Sequence, residues 1–179
     1  AAGAARAGEW HDVLTTLGPA DDSPRTGCLR VAALRALGRP GEADAALAEV
    51  LRRDPLDAWA RAMAGGEPND AWTAVDVAVD AEAVGDLDLA QRMLEVAASR
   101  PAGPAGNAAP VAHYLAAWFW ERAGQPDRAA DERRRARDAD DRLCFPSGLA
   151  AEAALRAAIA ADPDDARAIG LLGTWLYAA

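Results

Sequence analysis

Apolar positions along this chain recur at helical spacing, and one order of turn and helix residues repeats. A glycine is followed five positions later by a small residue, four positions further by a large apolar residue, and then by a helix-ending proline. The two full copies are Gly38, Ala43, Leu47 and Pro55, then Gly85, Ala90, Leu94 and Pro101, and weaker copies start at Gly8 and Gly124. Because such units bury their apolar faces only against neighbours, the pattern predicts a helical repeat array.

The same signals predict helical hairpins with a turn at each of these glycines. The expected helices are 24–37 and 41–53 around Gly38, 70–84 and 87–99 around Gly85, and 111–123 and 126–140 around Gly124. Before them, Gly8 is expected to separate a helix tail from a second helix that ends near Gly18, with a polar loop at 19–23. A short extra helix is expected at 57–64, an exposed loop at 101–110, and two further helices after a cap at Ser147.

The residues resemble tetratricopeptide repeats, which are helix-turn-helix units of about 34 residues. The best match is Ser23–Asp57, where Gly38–Ala43 reads Gly-Arg-Pro-Gly-Glu-Ala, and Asp162–Gly173 is similar to the junction between successive units. The turn glycines are separated by 30, 47 and 39 residues, so the array is irregular around residues 57–70. The segment Leu143–Ala151 has a fainter resemblance to the repeat half of large bacterial proteins that also carry a galactose-mutarotase-like β-sandwich.

Composition narrows the class of protein. Hydrophobic residues make up 51 % of the 179 residues, mostly as alanine, which favours closely packed helices over sheets. All 19 basic residues are arginine, a usage typical of a high-GC bacterial genome, and the net charge of -9 disfavours nucleic acid and anionic membranes as partners. No stretch is apolar enough to cross a bilayer and no signal-peptide pattern is present, so we expect a cytoplasmic protein.

The resemblance implies which side chains face a partner, because the first helix of each pair lines the concave side in this family. The implied positions are Arg25, Cys28, Arg35, Trp72, Val75, Val79, Tyr114, Trp118, Glu121, Arg122, Arg167, Thr174 and Tyr177. Aromatic residues mixed with arginines suit an extended peptide or a carboxylate, although a merely solvated inner face explains them equally well.

Three consecutive aromatic residues, Trp118, Phe119 and Trp120, point in different directions on one helix. We expect Trp120 in the core, and Trp118 either in a binding groove or against the 101–110 loop. Neither His11 nor His113 has metal-ligand spacing, so both are interpreted as structural, and no nucleophile with a base or phosphate-binding loop is found. The arginines at 133, 134, 135 and 137 are expected to pair with acids on their own helix.

The sequence therefore predicts an all-α, right-handed solenoid of antiparallel hairpins, forming one repeat domain over residues 1–179 that is cut within a repeat at both ends. Its expected role is a non-catalytic scaffold that binds a protein or peptide, without a cofactor or metal. The partner is either another protein or a further domain of the same chain, and the cut ends are expected to favour self-association. The alternatives are an accessory module that orders or gates a carbohydrate-active β-sandwich, and an all-α enzyme, which requires a deep pocket.

Overall fold

The computed structural model describes residues 2–17, 23–104 and 106–178, and in these ranges the chain forms α-helices and no β-strand. The helices are α1 (Ala2–Thr16), α2 (Pro24–Ala36), α3 (Pro40–Arg53), α4 (Ala58–Met63), α5 (Ala71–Ala83), α6 (Leu87–Ser99), α7 (Ala109–Arg122), α8 (Pro126–Asp138), α9 (Gly148–Ala161) and α10 (Ala166–Ala178). The predicted all-α class is confirmed, as is the short extra helix after Asp57. Alanine, the strongest helix former, supplies much of this helical content.

Three glycine corners with the same backbone geometry join α2 to α3, α5 to α6 and α7 to α8. Gly38, Gly85 and Gly124 have φ values of 69°, 79° and 74°, in the left-handed region that glycine enters without a steric penalty. At each corner the next residue donates its backbone N–H to the carbonyl five residues earlier, with N···O distances of 2.9 Å in all three cases. This is the Schellman closure of a helix end, and it confirms the predicted turns at these glycines.

Two local predictions fail. The turn expected at Gly8 is wrong, because α1 continues through this residue. An isolated glycine is tolerated inside a helix, and neither a proline nor a capping residue follows Gly8 to stop it. The 101–110 loop is exposed only in its first part, since Asn107 and Ala108 are buried and α7 already begins at Ala109. The predicted loop at 19–23 lies outside the described residues except for Ser23.

The chain divides into two compact units, residues 1–67 and 68–179, and the expected single repeat domain stays a prediction. In the first unit α2 and α3 form a hairpin, α1 packs against α2, and the short α4 packs against both helices of the hairpin. The buried large side chains are Val31, Leu34, Leu47, Val50, Trp59 and Met63. Helix α4 is held by Asp57, whose carboxylate accepts the backbone N–H of Ala60 at 2.7 Å and so caps its first turn.

In the second unit, three successive helix pairs pack each on the next. Helices α5 and α6 both contact α7, while α9 contacts α7 and α10 contacts α8. Helix α7 is the most enclosed, and its neighbours cover Val111, Leu115 and Phe119. Many of the remaining buried positions are alanines, such as Ala78 and Ala90, which let helices approach closely.

Two loops of the second unit are fastened together at their backbones. The N–H of Asn107 donates to the carbonyl of Leu143 at 2.9 Å, and the Asn107 side-chain amide donates to the carbonyl of Asp140. Leu143 has a φ of 59°, an unusual conformation for a residue with a branched side chain, while its own side chain stays largely exposed. The backbone of Gly106 lies against the Leu143 carbonyl, and a Cβ atom at position 106 would be only 2.6 Å from that carbonyl oxygen. Only glycine, which has no Cβ atom, fits here.

Candidate functional site

The predicted binding residues of the first unit contact α4 of their own chain. The guanidinium of Arg25 lies over the indole of Trp59, with 5.9 Å between Cζ and the ring centroid. Arg35 donates from Nη2 to the carbonyl oxygen of Met63 at 3.2 Å. Cys28, which is fully buried, directs its Sγ towards the carboxylate of Asp57 at 3.7 Å. Thus α4 fills the side of α2 that the sequence assigns to a partner.

Tyr114 is fully buried, so it has no accessible surface for a partner and the prediction of a binding role does not fit its position. Its hydroxyl donates to the carboxylate of Asp165, with distances of 2.8 and 3.0 Å to the two oxygens. The same carboxylate, itself fully buried, accepts the N–H of Ala168 at 3.0 Å and lies 3.4 Å from Nη1 of Arg137. Burial, together with the hydrogen bond to Asp165, raises the pKa of Tyr114 far above its ordinary value.

Arg167 and Tyr177 lie on α10. The guanidinium of Arg167 pairs with Asp141 at 3.1 Å and donates to the carbonyl of Ala139, so it ties α10 to the loop after α8. Tyr177 is 95 % exposed near the end of α10. The charge of Arg167 acts on Tyr114 and opposes the rise in its pKa, whereas none of the described contacts joins Tyr177 to the other predicted binding positions.

Two of the three remaining predicted residues on α7 form a small cluster with one acid from α5. The guanidinium of Arg122 lies over the indole of Trp118 at 4.9 Å, a cation–π distance, and its Nη1 lies 3.3 Å from the carboxylate of Glu82. Trp118 is half-buried, and its ring is tilted by 40° to that of Phe119 with 5.6 Å between the centroids, while the Arg122 side chain is 52 % exposed. We call Glu82, Trp118 and Arg122 the Trp118 cluster.

One further predicted residue lies beside the Trp118 cluster, and another lies at the opposite end of α5 from Glu82. Glu121 pairs with Arg133 of α8 at 3.4 Å. On α5, Trp72 is half-buried with its indole nitrogen near Gly106 of the loop before α7. Partial desolvation and the nearby carboxylates of Asp80 and Asp70 raise the pKa of Asp76. Acidic groups therefore outnumber basic ones along the exposed part of α5.

The aromatic run of α7 is arranged differently from the expectation. Phe119 is the buried member, whereas Trp120, expected in the core, is half-buried under the guanidinium of Arg128 at 4.6 Å.

The arginine run of α8 is only partly paired within its helix. Arg134 and Arg135 pair with acids three residues earlier, but Arg133 and Arg137 reach acids outside α8.

A cleft of about 130 Å³ lies between α6, α7 and α8, and sequence reasoning missed it. We call it the His113 cleft, because His113 forms part of its wall and its Nδ1 lies 2.7 Å from the carboxylate of Glu132. Leu94, Ala112 and Ala116 supply the apolar part of the lining. The two ionisable partners are 19 residues apart on different helices, a separation that no local motif reveals.

The described part of the chain contains no group of three or more histidine, cysteine, aspartate or glutamate side chains arranged to hold a metal ion. Both cysteines are buried thiols that form no disulfide, and burial raises the pKa of the Cys144 thiol to about 11. None of the helices in the described ranges combines the length and apolar character that a bilayer crossing requires. No protein-family model, curated protein or solved structure matches the chain.

Proposed function

We propose that this chain is a non-catalytic interaction module, built from tetratricopeptide-like helical hairpins, that binds an extended segment of a protein partner at the Trp118 cluster. The repeat part of the proposal is supported by the three corners of equal geometry and by the contacts between successive hairpins in residues 68–179. Neither feature depends on a particular partner or identifies the surface that binds it.

The single observation that carries the binding role is the arrangement of Trp118 under Arg122, with Glu82 reaching across from α5. The ion pair and the stacking contact hold the indole and the guanidinium in one geometry before a partner arrives. Preorganised aromatic and arginine side chains lose little conformational entropy on binding, and both residue types are enriched among the energetically dominant positions of interfaces.

The cluster also suggests the chemistry of the partner. Part of the Trp118 indole stays accessible beside the Glu82–Arg122 pair, so it suits an apolar or aromatic side chain at the centre of a bound segment. Because Arg122 is already paired with Glu82, it is not a free clamp for a terminal carboxylate. An extended segment with a central apolar residue therefore fits better than a C-terminal peptide.

The test is selection of binders from a random-peptide phage library against the folded chain, followed by affinity measurements on Trp118→Ala. We expect this variant to lose about 2 kcal/mol of binding free energy, roughly thirtyfold in Kd, with an unchanged far-ultraviolet circular dichroism spectrum.

Trp120→Ala is the matched control, because Trp120 lies on the same helix, is likewise half-buried and also stacks against an arginine. We expect it to bind the selected peptides like the wild type. An equal loss in both variants, or no loss in Trp118→Ala, would contradict the proposed surface.

A further inference from the structure

Helix α10 exposes apolar residues on the face where a surface helix normally carries polar ones. Ile169, Leu176 and Tyr177 are 47 %, 54 % and 95 % exposed, and the exposed Gly170 and Gly173 lie between them. Neighbouring positions in this set are one, three or four residues apart, so the five residues form one line along the helix. We call them the α10 stripe.

The two glycines of the α10 stripe are not required by the fold of the chain itself. Neither has a positive φ, and no atom of the described residues lies within 4 Å of the position that a Cβ would take. Glycine also weakens a helix interior relative to alanine, the residue in which these helices are rich. Glycines that cost stability and serve no internal contact indicate that something outside the chain approaches closely here.

Another helical glycine shows what such a position accommodates. A Cβ at Gly27 of α2 would lie 2.3 Å from Cγ2 of Val50, because this side chain of α3 packs directly on the glycine. In this molecule a helical glycine thus receives a branched side chain from a neighbouring helix. The α10 stripe presents two recesses of the same kind on its exposed side.

The α10 stripe is complementary to itself. Counted from Gly173, the residues three and four positions before it are Gly170 and Ile169, and those three and four positions after it are Leu176 and Tyr177. A two-fold axis at Gly173 would pair two antiparallel copies of α10 with Leu176 of one facing Gly170 of the other. Large side chains then fit over small ones, as ridges fit into grooves between packed helices. A patch that pairs with itself is what a two-fold dimer requires.

The exposed apolar area is sufficient for a weak dimer. Trp175 donates from Nε1 to the carbonyl of Gly148 at 3.1 Å, so the start of α9, with the exposed Leu149, lies beside the end of α10. Together with the α10 stripe, this side chain presents on the order of 500 Å². Two copies would bury about 1,000 Å², which is near the lower limit of specific interfaces.

We infer that a second copy of this chain covers the α10 stripe, and that the two α10 helices cross antiparallel at Gly173. The contact is apolar, because the one charged residue of α10, Arg167, pairs with Asp141 and is not part of the stripe. The net charge of -9 on each copy opposes association at low salt. This surface is separate from the Trp118 cluster and does not depend on the partner proposed there.

Sedimentation equilibrium of the whole chain, from about 1 to about 300 μM, tests the inference. We expect a monomer–dimer equilibrium with a Kd on the order of 10 to 100 μM, as for a small apolar interface. Raising the NaCl concentration from about 20 to about 300 mM should strengthen the dimer, because salt screens the repulsion between the two acidic copies.

The first variant is Gly173→Gln, which places a long side chain where the two helices cross. We expect its dimer Kd to rise at least tenfold. Glutamine is a better helix former than glycine, so the thermal melt should show a fold at least as stable as the wild type. Gly41→Gln is the matched control, since Gly41 is also an exposed helical glycine without a neighbour among the described residues within 4 Å. It should dimerise like the wild type.

The second variant is Leu176→Gln, which removes an apolar side chain from the α10 stripe and should weaken the dimer about tenfold. Leu56→Gln makes the same change at an exposed leucine before α4 and should leave the Kd unchanged.

The inference is overturned if the chain stays monomeric over the whole concentration range, which would leave the α10 stripe to a different protein. It is also overturned if assemblies grow beyond the dimer, because this indicates a head-to-tail contact. A Gly173→Gln variant that dimerises like the wild type, or controls that weaken the dimer as much as the stripe variants, would place the contact elsewhere.

Discussion

Replacing Tyr114 by phenylalanine tests the buried hydrogen bond between α7 and the start of α10. The change removes one O–H donor from the Asp165 carboxylate and leaves the ring in place, so it creates almost no cavity. A hydrogen bond to a charged group contributes about 1.5–3 kcal/mol, and Asp165 keeps its bond from Ala168 and its contact with Arg137. We therefore expect the free energy of unfolding to fall by about 2 kcal/mol.

Urea unfolding followed by circular dichroism measures this loss. With an m-value of about 2 kcal/mol per M, the midpoint should fall by about 1 M while the m-value stays unchanged. Tyr177→Phe makes the same chemical change at a 95 % exposed position and should leave the midpoint where it is. A loss below about 0.5 kcal/mol in Tyr114→Phe would refute the assignment of a stabilising hydrogen bond.

The same residue predicts a dependence on alkaline pH. Because burial and Asp165 raise the pKa of Tyr114, the folded chain keeps the phenolic proton at pH values where the unfolded chain releases it. This contribution to stability is complete below the ordinary tyrosine pKa of about 10 and declines above it. Tyr114→Phe should lose stability less steeply than the wild type above that pH.

Three further predictions concern local features of the fold. Gly106→Ala should lower the free energy of unfolding by more than about 2 kcal/mol, because the φ of 98° and the nearby Leu143 carbonyl leave no room for a Cβ atom. Gly41→Ala, in the first turn of α3, should instead raise it by about 0.5 kcal/mol. Thermal melts measure both changes. Asp70→Ala should cost about 1 kcal/mol in urea unfolding, because its side chain caps α5, and Ser147→Ala should be nearly neutral, since its side chain makes no cap hydrogen bond. Burial raises the pKa of the Cys144 thiol from 9.0 to about 11, so between these pH values the folded chain keeps a proton that the unfolded chain loses. The stability that this difference contributes is lost as the pH rises from 9 to 11. The melting temperature of Cys144→Ala should therefore fall less steeply than that of the wild type over this pH range.

The corners were predictable because their information is local. At Gly38, Gly85 and Gly124 a capping residue or a proline follows within two positions. The residues that end one helix and those that start the next are therefore adjacent in the sequence. Gly8 lacks such a partner signal and stays inside α1. A glycine alone is therefore a weak predictor of a turn in an alanine-rich chain.

The candidate site was less predictable, because it depends on which helices meet. A helical wheel places Tyr114 and Trp118 on similar faces of α7, but residues near the start of α10 bury the first and not the second. For Arg25 and Arg35 the deciding element is α4, whose existence was expected but whose position was not. Glu82 and Glu132 find their partners 40 and 19 residues away, on other helices.

The equal geometry of the three glycine corners has a consequence for how such a chain can change in evolution. Each corner is closed by its own backbone hydrogen bonds and needs no side chain from elsewhere in the molecule. A gene duplication or deletion that begins and ends between hairpins would thus carry its bends along intact, and would need to readjust only the apolar surfaces where two units meet.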